Sequence, residues 1–306
     1  MRRIERLLTL LDSHQMSETL GIADWQGRKA IYEAPGQYRF IDEASRRINV
    51  GDRLVETGET MFLRQTVELP EHWGDAPAGF VFHAGAAGVA TLREAMVRLD
   101  GVPYHGLDRN RSYVPFPADR GGKRRFELEI ELFNPAAQAL DRLNRQNEPA
   151  EYDPAPLVLL QSELVLPNGA VQSLLHTVRT YYEAASLLAD GDLNKSRIGE
   201  ALEEAALAIR GAEASVLQDA GRVQAIEERI RSALSRLGGQ VDAMMHMVGQ
   251  SHIDIAWLWP VKETVRKCSR TFSTMSTLLD EYPDFTYAQS QPQAYDFVKK
   301  WYPDLY

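Results

Sequence analysis

From Met247 to Pro260 the chain runs Met-Val-Gly-Gln-Ser-His-Ile-Asp-Ile-Ala-Trp-Leu-Trp-Pro, an apolar run giving way to a His-x-Asp pair, two tryptophans and a proline. Ala243 to Val248 has the composition of a buried strand, and Pro260 can open a helix at the position where its missing N–H costs nothing. Val261, Val265, Cys268, Phe272, Met275 and Leu279 then recur at spacings of four and three, one apolar stripe of a helix that Pro283 stops. Phe285 to Gln289 reads as a second strand and Tyr295 to Trp301 as a second helix. This βαβα order is the start of a parallel α/β domain. Two such units neither close a barrel nor cover both faces of a parallel sheet, so the chain is expected to be truncated at Tyr306.

The same stretch carries the chemistry. His252 and Asp254, two residues apart, point to one side of an extended backbone because side-chain direction alternates along a strand. Imidazole nitrogen and carboxylate oxygen suit zinc, and a catalytic zinc site commonly takes three protein ligands with one open position. Two are visible, so at least one more is needed. In α/β barrels the reactive groups sit on loops after the strands, which is where this pair falls.

Upstream the rhythm differs. Ile4, Leu7, Leu8 and Leu11 form a helix stripe. Phe126, Leu128, Ile130 and Leu132 alternate with Glu127, Glu129 and Glu131, a strand with one dry and one wet face. Phe62 to Leu69, Gly79 to His83, Met96 to Leu99 and Leu157 to Val165 are further strands, and Asp100-Gly101 signals a hairpin turn. Together they predict an antiparallel β-sandwich. After Pro167-Asn168 the period becomes helical through Leu174, Leu175, Val178 and Tyr182, then Ile198, Leu202, Ala205 and Ile209. A third stripe, from Val216 through Val223, Ile226, Ile230 and Ala233 to Leu237, ends at Gly238-Gly239. The expected fold is therefore α+β and multidomain. It comprises an N-terminal helix and irregular segment over 1–59, a β-sandwich-like domain over 60–167, a helical spacer over 168–239, and the first two βα units of an α/β barrel over 240–306.

Composition limits the function classes. With 306 residues, 44% hydrophobic and 25% charged, the chain is an ordinary globular sequence long enough for about two domains. Its net charge of −9, without long single-sign runs, argues against nucleic acid or an anionic membrane as partner, and no stretch has the length of a membrane span. The only cysteine, Cys268, excludes an intrachain disulfide, and the charged N-terminus lacks the pattern of a signal peptide. A cytoplasmic location is expected, and a homo-oligomer is allowed.

The segment from Gly249 to Tyr306 resembles the opening of the catalytic domain of glycoside hydrolase family 38, the class II α-mannosidases. The resemblance is carried by His252-Ile253-Asp254-Ile255-Ala256-Trp257-Leu258-Trp259-Pro260, Glu263-Thr264-Val265-Arg266-Lys267, Arg270-Thr271-Phe272-Ser273, Glu281-Tyr282-Pro283, Ser290-Gln291-Pro292-Gln293 and Tyr302-Pro303. More weakly, Asp100 to Asn110 is similar to the β-domain that precedes the barrel in bacterial and related cytosolic members. The resemblance implies a hydrolase of the glycosidase class acting in mannose metabolism: one zinc per active site, removal of terminal α-linked mannose from oligosaccharides, and retention at the anomeric carbon. It implies that His252 and Asp254 are zinc ligands and that Trp257 lies against the sugar. The nucleophilic Asp, the acid/base Asp and the second His ligand lie further along in family members. No catalytic carboxylate is thus assigned here, Asp280, Asp284 and Asp296 do not match those motifs, and the polypeptide as written is expected to be inactive.

Several residues have plainer readings. Trp259 reads as core, His246 as a satisfied interior histidine, Cys268 as a packed small hydrophobe, and Lys123-Arg124-Arg125 as a solvated hairpin turn. Glu263, Arg266, Lys267 and Arg270 read as a solvated ion-pair face of the first barrel helix, while Ser290 and Gln291 could line the pocket. Two other functions fit the same residues: a metal-dependent polysaccharide deacetylase, and a non-catalytic β-domain for carbohydrate binding or assembly, with Tyr104, Tyr113 and Phe116 as its aromatic candidates.

Overall fold

The computed structural model describes residues 2–86, 94–108, 110–134, 156–235, 237, 244–257 and 259–306. Arg109, Leu258, Ala243 and the Gly238-Gly239 helix stop lie outside the described residues. The chain forms two compact units, residues 1–19 with 165–245 and residues 20–164 with 246–306.

The first unit is helical: α1 (Arg2–Ser13), α2 (Gly169–Ser186), α3 (Leu193–Ile209), α4 (Glu213–Leu217) and α5 (Ala220–Leu234). Asn168, Asp192 and Asp219 start α2, α3 and α5 by accepting from the backbone N–H groups of Val171, Asn194 and Arg222, donors that would otherwise be orphaned. Leu7 and Leu11 of α1 share a core with Leu174, Val178, Leu202, Val223 and Ile230. The helices expected as a spacer thus have an apolar centre of their own, completed by the N-terminal helix. One buried charge is included: Glu227 accepts from Ser173, Thr177 and Arg231.

The second unit contains two facing sheets. One has β1 (Met16–Gly21), β12 (Leu157–Pro167), β7 (Gly79–Ala86) and β10 (Tyr113–Pro115) in that order, with β5 (Arg53–Val55) beside β12; residues 16–19 of β1 and 165–167 of β12 count with the first unit. The other runs β3 (Gln37–Phe40), β2 (Trp25–Ala34), β6 (Thr60–Glu68), β11 (Arg125–Phe133), β8 (Glu94–Leu99), β9 (Val102–Leu107), with β4 (Arg46–Ile48) beside β2. The strand pairs of this second sheet are antiparallel. The buried Trp25 of β2 joins the two sheets: its ring meets Phe82 of β7 edge-on at 5.8 Å, and its Nε1–H donates to Ser162 of β12 at 2.8 Å.

The stretch expected to be irregular before residue 60 therefore contributes five strands. Their apolar alternation is thin because Gly27 and Ala30 occupy dry positions; a Cβ at Gly27 would lie 2.6 Å from the Ile48 side chain. At the β8–β9 hairpin Asp100 and Gly101 both have positive φ, 53° and 85°, as a two-residue I′ turn requires.

The C-terminal part of this unit has the expected βαβα order: β13 (Gly249–Gln250), α6 (Val261–Glu281), β14 (Tyr287–Ala288) and α7 (Pro292–Trp301). β13 and β14 are parallel and pair over two residues each. The strand expected over Ala243 to Val248 is displaced to Gly249–Gln250: Met244, Met245 and Met247 are more than four-fifths exposed and lie outside any strand. His246 is exposed with them, not interior.

α6 also departs from its predicted burial. Of the apolar stripe Val265 and Cys268 are buried, whereas Val261 and Leu279 are nearly half exposed. The polar side is the dry one: Glu263, Thr264, Arg266, Arg270, Ser273 and Thr277 are all buried. That side lies on β9 and β8, where Gly106 N–H donates to Thr274 Oγ1 at 3.0 Å and Thr277 Oγ1–H donates to Tyr104 O at 2.6 Å.

Candidate functional site

The His252–Asp254 segment follows β13 directly. His252 Nε2 and Asp254 Oδ1 are 3.0 Å apart, with 65% and 42% of the two side chains exposed. The intervening Ile253 points the other way and is buried against Cys268, Ala294 and Val298. Alternation along an extended backbone thus brings two ligand-type groups together on one accessible side. Among the described residues no group of three or more His, Cys, Asp or Glu side chains is placed to hold a metal ion. The pair has donor chemistry that suits zinc, and two such donors alone do not make a complete ligand set.

Trp257, three residues after Asp254 in the chain, is 60% exposed. Its ring meets Trp259 edge-on at 5.7 Å. Trp259 is half-buried and not fully core: its Nε1–H donates to Thr264 Oγ1 at 3.1 Å, and Lys267 Nζ lies 4.3 Å from its ring centroid. The Thr264 hydroxyl in turn donates to the carbonyl of Ile255. The first turns of α6 therefore hold the loop that presents Trp257.

Behind α6 is an ion cluster that helical periodicity alone reads as solvated. Arg266, 2% exposed, bonds Glu263 through Nε at 2.8 Å and through Nη2. It also reaches Thr60 at 3.1 Å and Glu131 at 3.4 Å. Its guanidinium lies between the rings of Tyr32 and Phe133, at 3.9 and 4.0 Å from their centroids. Glu131, expected on the wet face of β11, is instead buried and also accepts from Tyr38 at 2.5 Å. Arg270 bonds Glu263 at 2.8 Å and, with Lys267, Glu94. Burial raises the Glu94 pKa, but the charges of Arg270 and Lys267 outweigh it and hold the carboxyl at about 2. Burial pushes the Tyr38 phenol up, and the neighbouring Glu131 carboxylate adds to the rise. The cluster joins α6 to β6, β8 and β11 and so sets where the Trp257 loop stands.

Other sequence candidates are elsewhere. Cys268 is fully buried, and burial raises its thiol to about 11. Asp280, Asp284 and Asp296 are exposed. Phe116 is buried, stacked on Phe126 at 4.6 Å, so it presents no aromatic face to a glycan. Lys123 and Arg124 pair with Asp100 at 2.7 Å and Glu68 at 2.9 Å beside the sheet. The turn they occupy precedes β11, whose partners are β6 and β8, and so it is not a hairpin.

Residues 242–306 match the glycosyl hydrolases family 38 N-terminal domain. Over 268 residues the chain is 30% identical to human alpha-mannosidase 2C1, covering 85% of this chain and 24% of that protein. To the mouse alpha-mannosidase 2C1 it is 29% identical over 262 residues, 84% of this chain and 24% of the relative. To alpha-mannosidase G of Dictyostelium discoideum it is 24% identical over 264 residues, 84% of this chain and 23% of the relative. The chain spans about a quarter of the length of these curated relatives.

Proposed function

We propose, from the match of residues 242–306 to the glycosyl hydrolases family 38 N-terminal domain, that the chain is part of a zinc-dependent, retaining α-mannosidase that removes terminal α-linked mannose from oligosaccharides in the cytoplasm. The observation that carries this reading is the convergence of His252 and Asp254, 3.0 Å apart and accessible, three residues before an exposed Trp257 within the matched segment. β13 to α7 are then the opening βαβα of the α/β barrel, with the pair on the loop after its first strand.

In this reading His252 and Asp254 are two of the zinc donors, and further donors complete the set. When bound, zinc supplies a Lewis acid that holds sugar hydroxyls. Trp257 offers a flat apolar face for the C–H edge of the sugar. Ile253, locked in the core, fixes the direction of its two neighbours. A retaining hydrolysis needs two carboxyl groups, and no carboxylate described here is assigned either role. No helix among the described residues is long and apolar enough to cross a membrane.

The test is hydrolysis of p-nitrophenyl α-mannoside by the protein purified from its natural source, with the anomer of the released sugar followed by NMR. Zinc-dependent release of α-mannose that a chelator abolishes, and that His252→Ala and Asp254→Ala remove, is expected. No hydrolysis with zinc supplied, or activity indifferent to both substitutions, would reject the reading.

A further inference from the structure

The backbone ladder that should support the His252–Asp254 segment stops early: β13 and β14 pair only as Gly249 with Tyr287 and Gln250 with Ala288. Beyond them two glutamine side chains take the place of a neighbouring strand. Gln289 Nε2 donates to the carbonyl of Ser251 at 2.5 Å. Gln291 Oε1 accepts from the N–H of Ile253 at 2.7 Å, and Gln291 Nε2 donates to the Ile253 carbonyl at 2.6 Å. The backbone N–H of Gln291 is itself tied to Gln289 Oε1 at 3.1 Å. A primary amide presents one donor and one acceptor side by side, so the Gln291 side chain mimics one peptide unit of a partner strand. It occupies the residue where α7 begins, with Ala294 and Val298 of that helix against Ile253.

We infer that Gln291 is a positioning residue for the His252/Asp254 pair, a splint that keeps residues 252–254 extended so that both donor groups face one ligand. The inference rests on the proposed role of that pair as metal donors. Ile253 is held at its side chain by the core and at both polar backbone atoms by Gln291, which leaves its two neighbours no freedom to rotate apart. Gln291 itself faces the backbone, not the ligand, so it is not a pocket-lining residue of the kind expected from its place at a strand end. Outer contacts that orient ligands commonly change metal affinity by about 10–100-fold when removed.

The experiment compares the full natural protein with its Gln291→Leu and Gln291→Glu variants. It measures zinc affinity by competition with a chromophoric chelator, hydrogen–deuterium exchange over 251–255, and Tm. Gln291→Leu should accelerate exchange at Ile253 and weaken zinc at least about tenfold while the Tm of the fold is retained. Gln291→Glu keeps the acceptor for the Ile253 N–H, loses the donor, and should fall between the two; it also serves if Gln291→Leu does not fold. Unchanged exchange, or faster exchange with unchanged zinc affinity, overturns the splint. A wild-type protein that binds zinc no better than a His252→Ala/Asp254→Ala variant overturns the donor role itself, and the splint with it. That failure is distinguished by the pair variant, which the splint alone does not affect.

Discussion

Arg266→Ala should be among the most damaging single changes in the second unit. The Arg266, Glu131 and Glu263 side chains are 2%, 5% and 6% exposed, so the substitution removes one buried cation and leaves two buried carboxylates. Glu263 keeps Arg270, and Glu131 is left with the Tyr38 hydroxyl as its donor among the described residues. The rings of Tyr32 and Phe133 also lose the guanidinium between them. Breaking a buried pair from one side costs about 3–5 kcal/mol, because the remaining charge is uncompensated. The assay is urea unfolding at pH 7 followed by tryptophan fluorescence. All five tryptophans, Trp25, Trp73, Trp257, Trp259 and Trp301, belong to the second unit, so the signal reports that unit alone. Arg266→Met with Glu131→Gln removes both charges, keeps an acceptor for Tyr38 and fills most of the space; it should recover at least about half of the loss. A loss below about 1 kcal/mol for Arg266→Ala, the size of an exposed pair, would refute the claim that these carboxylates are desolvated.

Three further outcomes test the packing around α6. His105 is fully buried; burial, with Arg111 nearby, lowers its pKa from 6.5 to about 4. The unfolded chain therefore takes up the proton first, and stability should fall by about 3 kcal/mol as pH drops from 6.5 to 4. Unfolding titrations across that range should show the slope in the wild type and lose it in His105→Gln; equal slopes would exclude His105 as the source. Glu94, depressed to about 2, acts in a lower window: its contribution is present above pH 4.5 and is lost as pH falls through 2. Gly106→Ala places a Cβ 2.9 Å from both the Arg270 carbonyl and Thr274 Oγ1. Forcing α6 away from β9 should cost about 1–3 kcal/mol, and an unchanged Tm would mean that the helix does not approach β9 so closely.

Much of the local structure was legible from spacing. The β11 alternation, the Asp100-Gly101 turn, the stripes of α1, α2 and α3, and the proline-bounded α6 all appear at or near their predicted positions, whereas the single helix expected from Val216 to Leu237 is two, α4 and α5, separated at Asp219, which caps α5. So does the same-side placement of His252 and Asp254, which needs only an extended backbone. These depend on the period of a single element, a property that neighbouring residues determine among themselves. The strands before residue 60 were not legible, because glycine and alanine at dry positions erase the apolar alternation on which the signal rests.

What only the tertiary structure decided is which face of each element stays dry. On α6 periodicity marks Val261 and Leu279 as inward and Arg266 as outward, yet Glu131 from β11 and Glu94 from β8 arrive opposite the charged side and make its burial tolerable. The partners are 135 and 176 residues away in the chain, at Arg266–Glu131 and Arg270–Glu94, so no local pattern contains them. The same holds for Gln291, whose role follows from an amide meeting Ile253 across 38 residues. Chain period determines which side chains share a side; the partner that comes to that side, and hence whether a charge is solvated or paired, is settled only when distant segments meet.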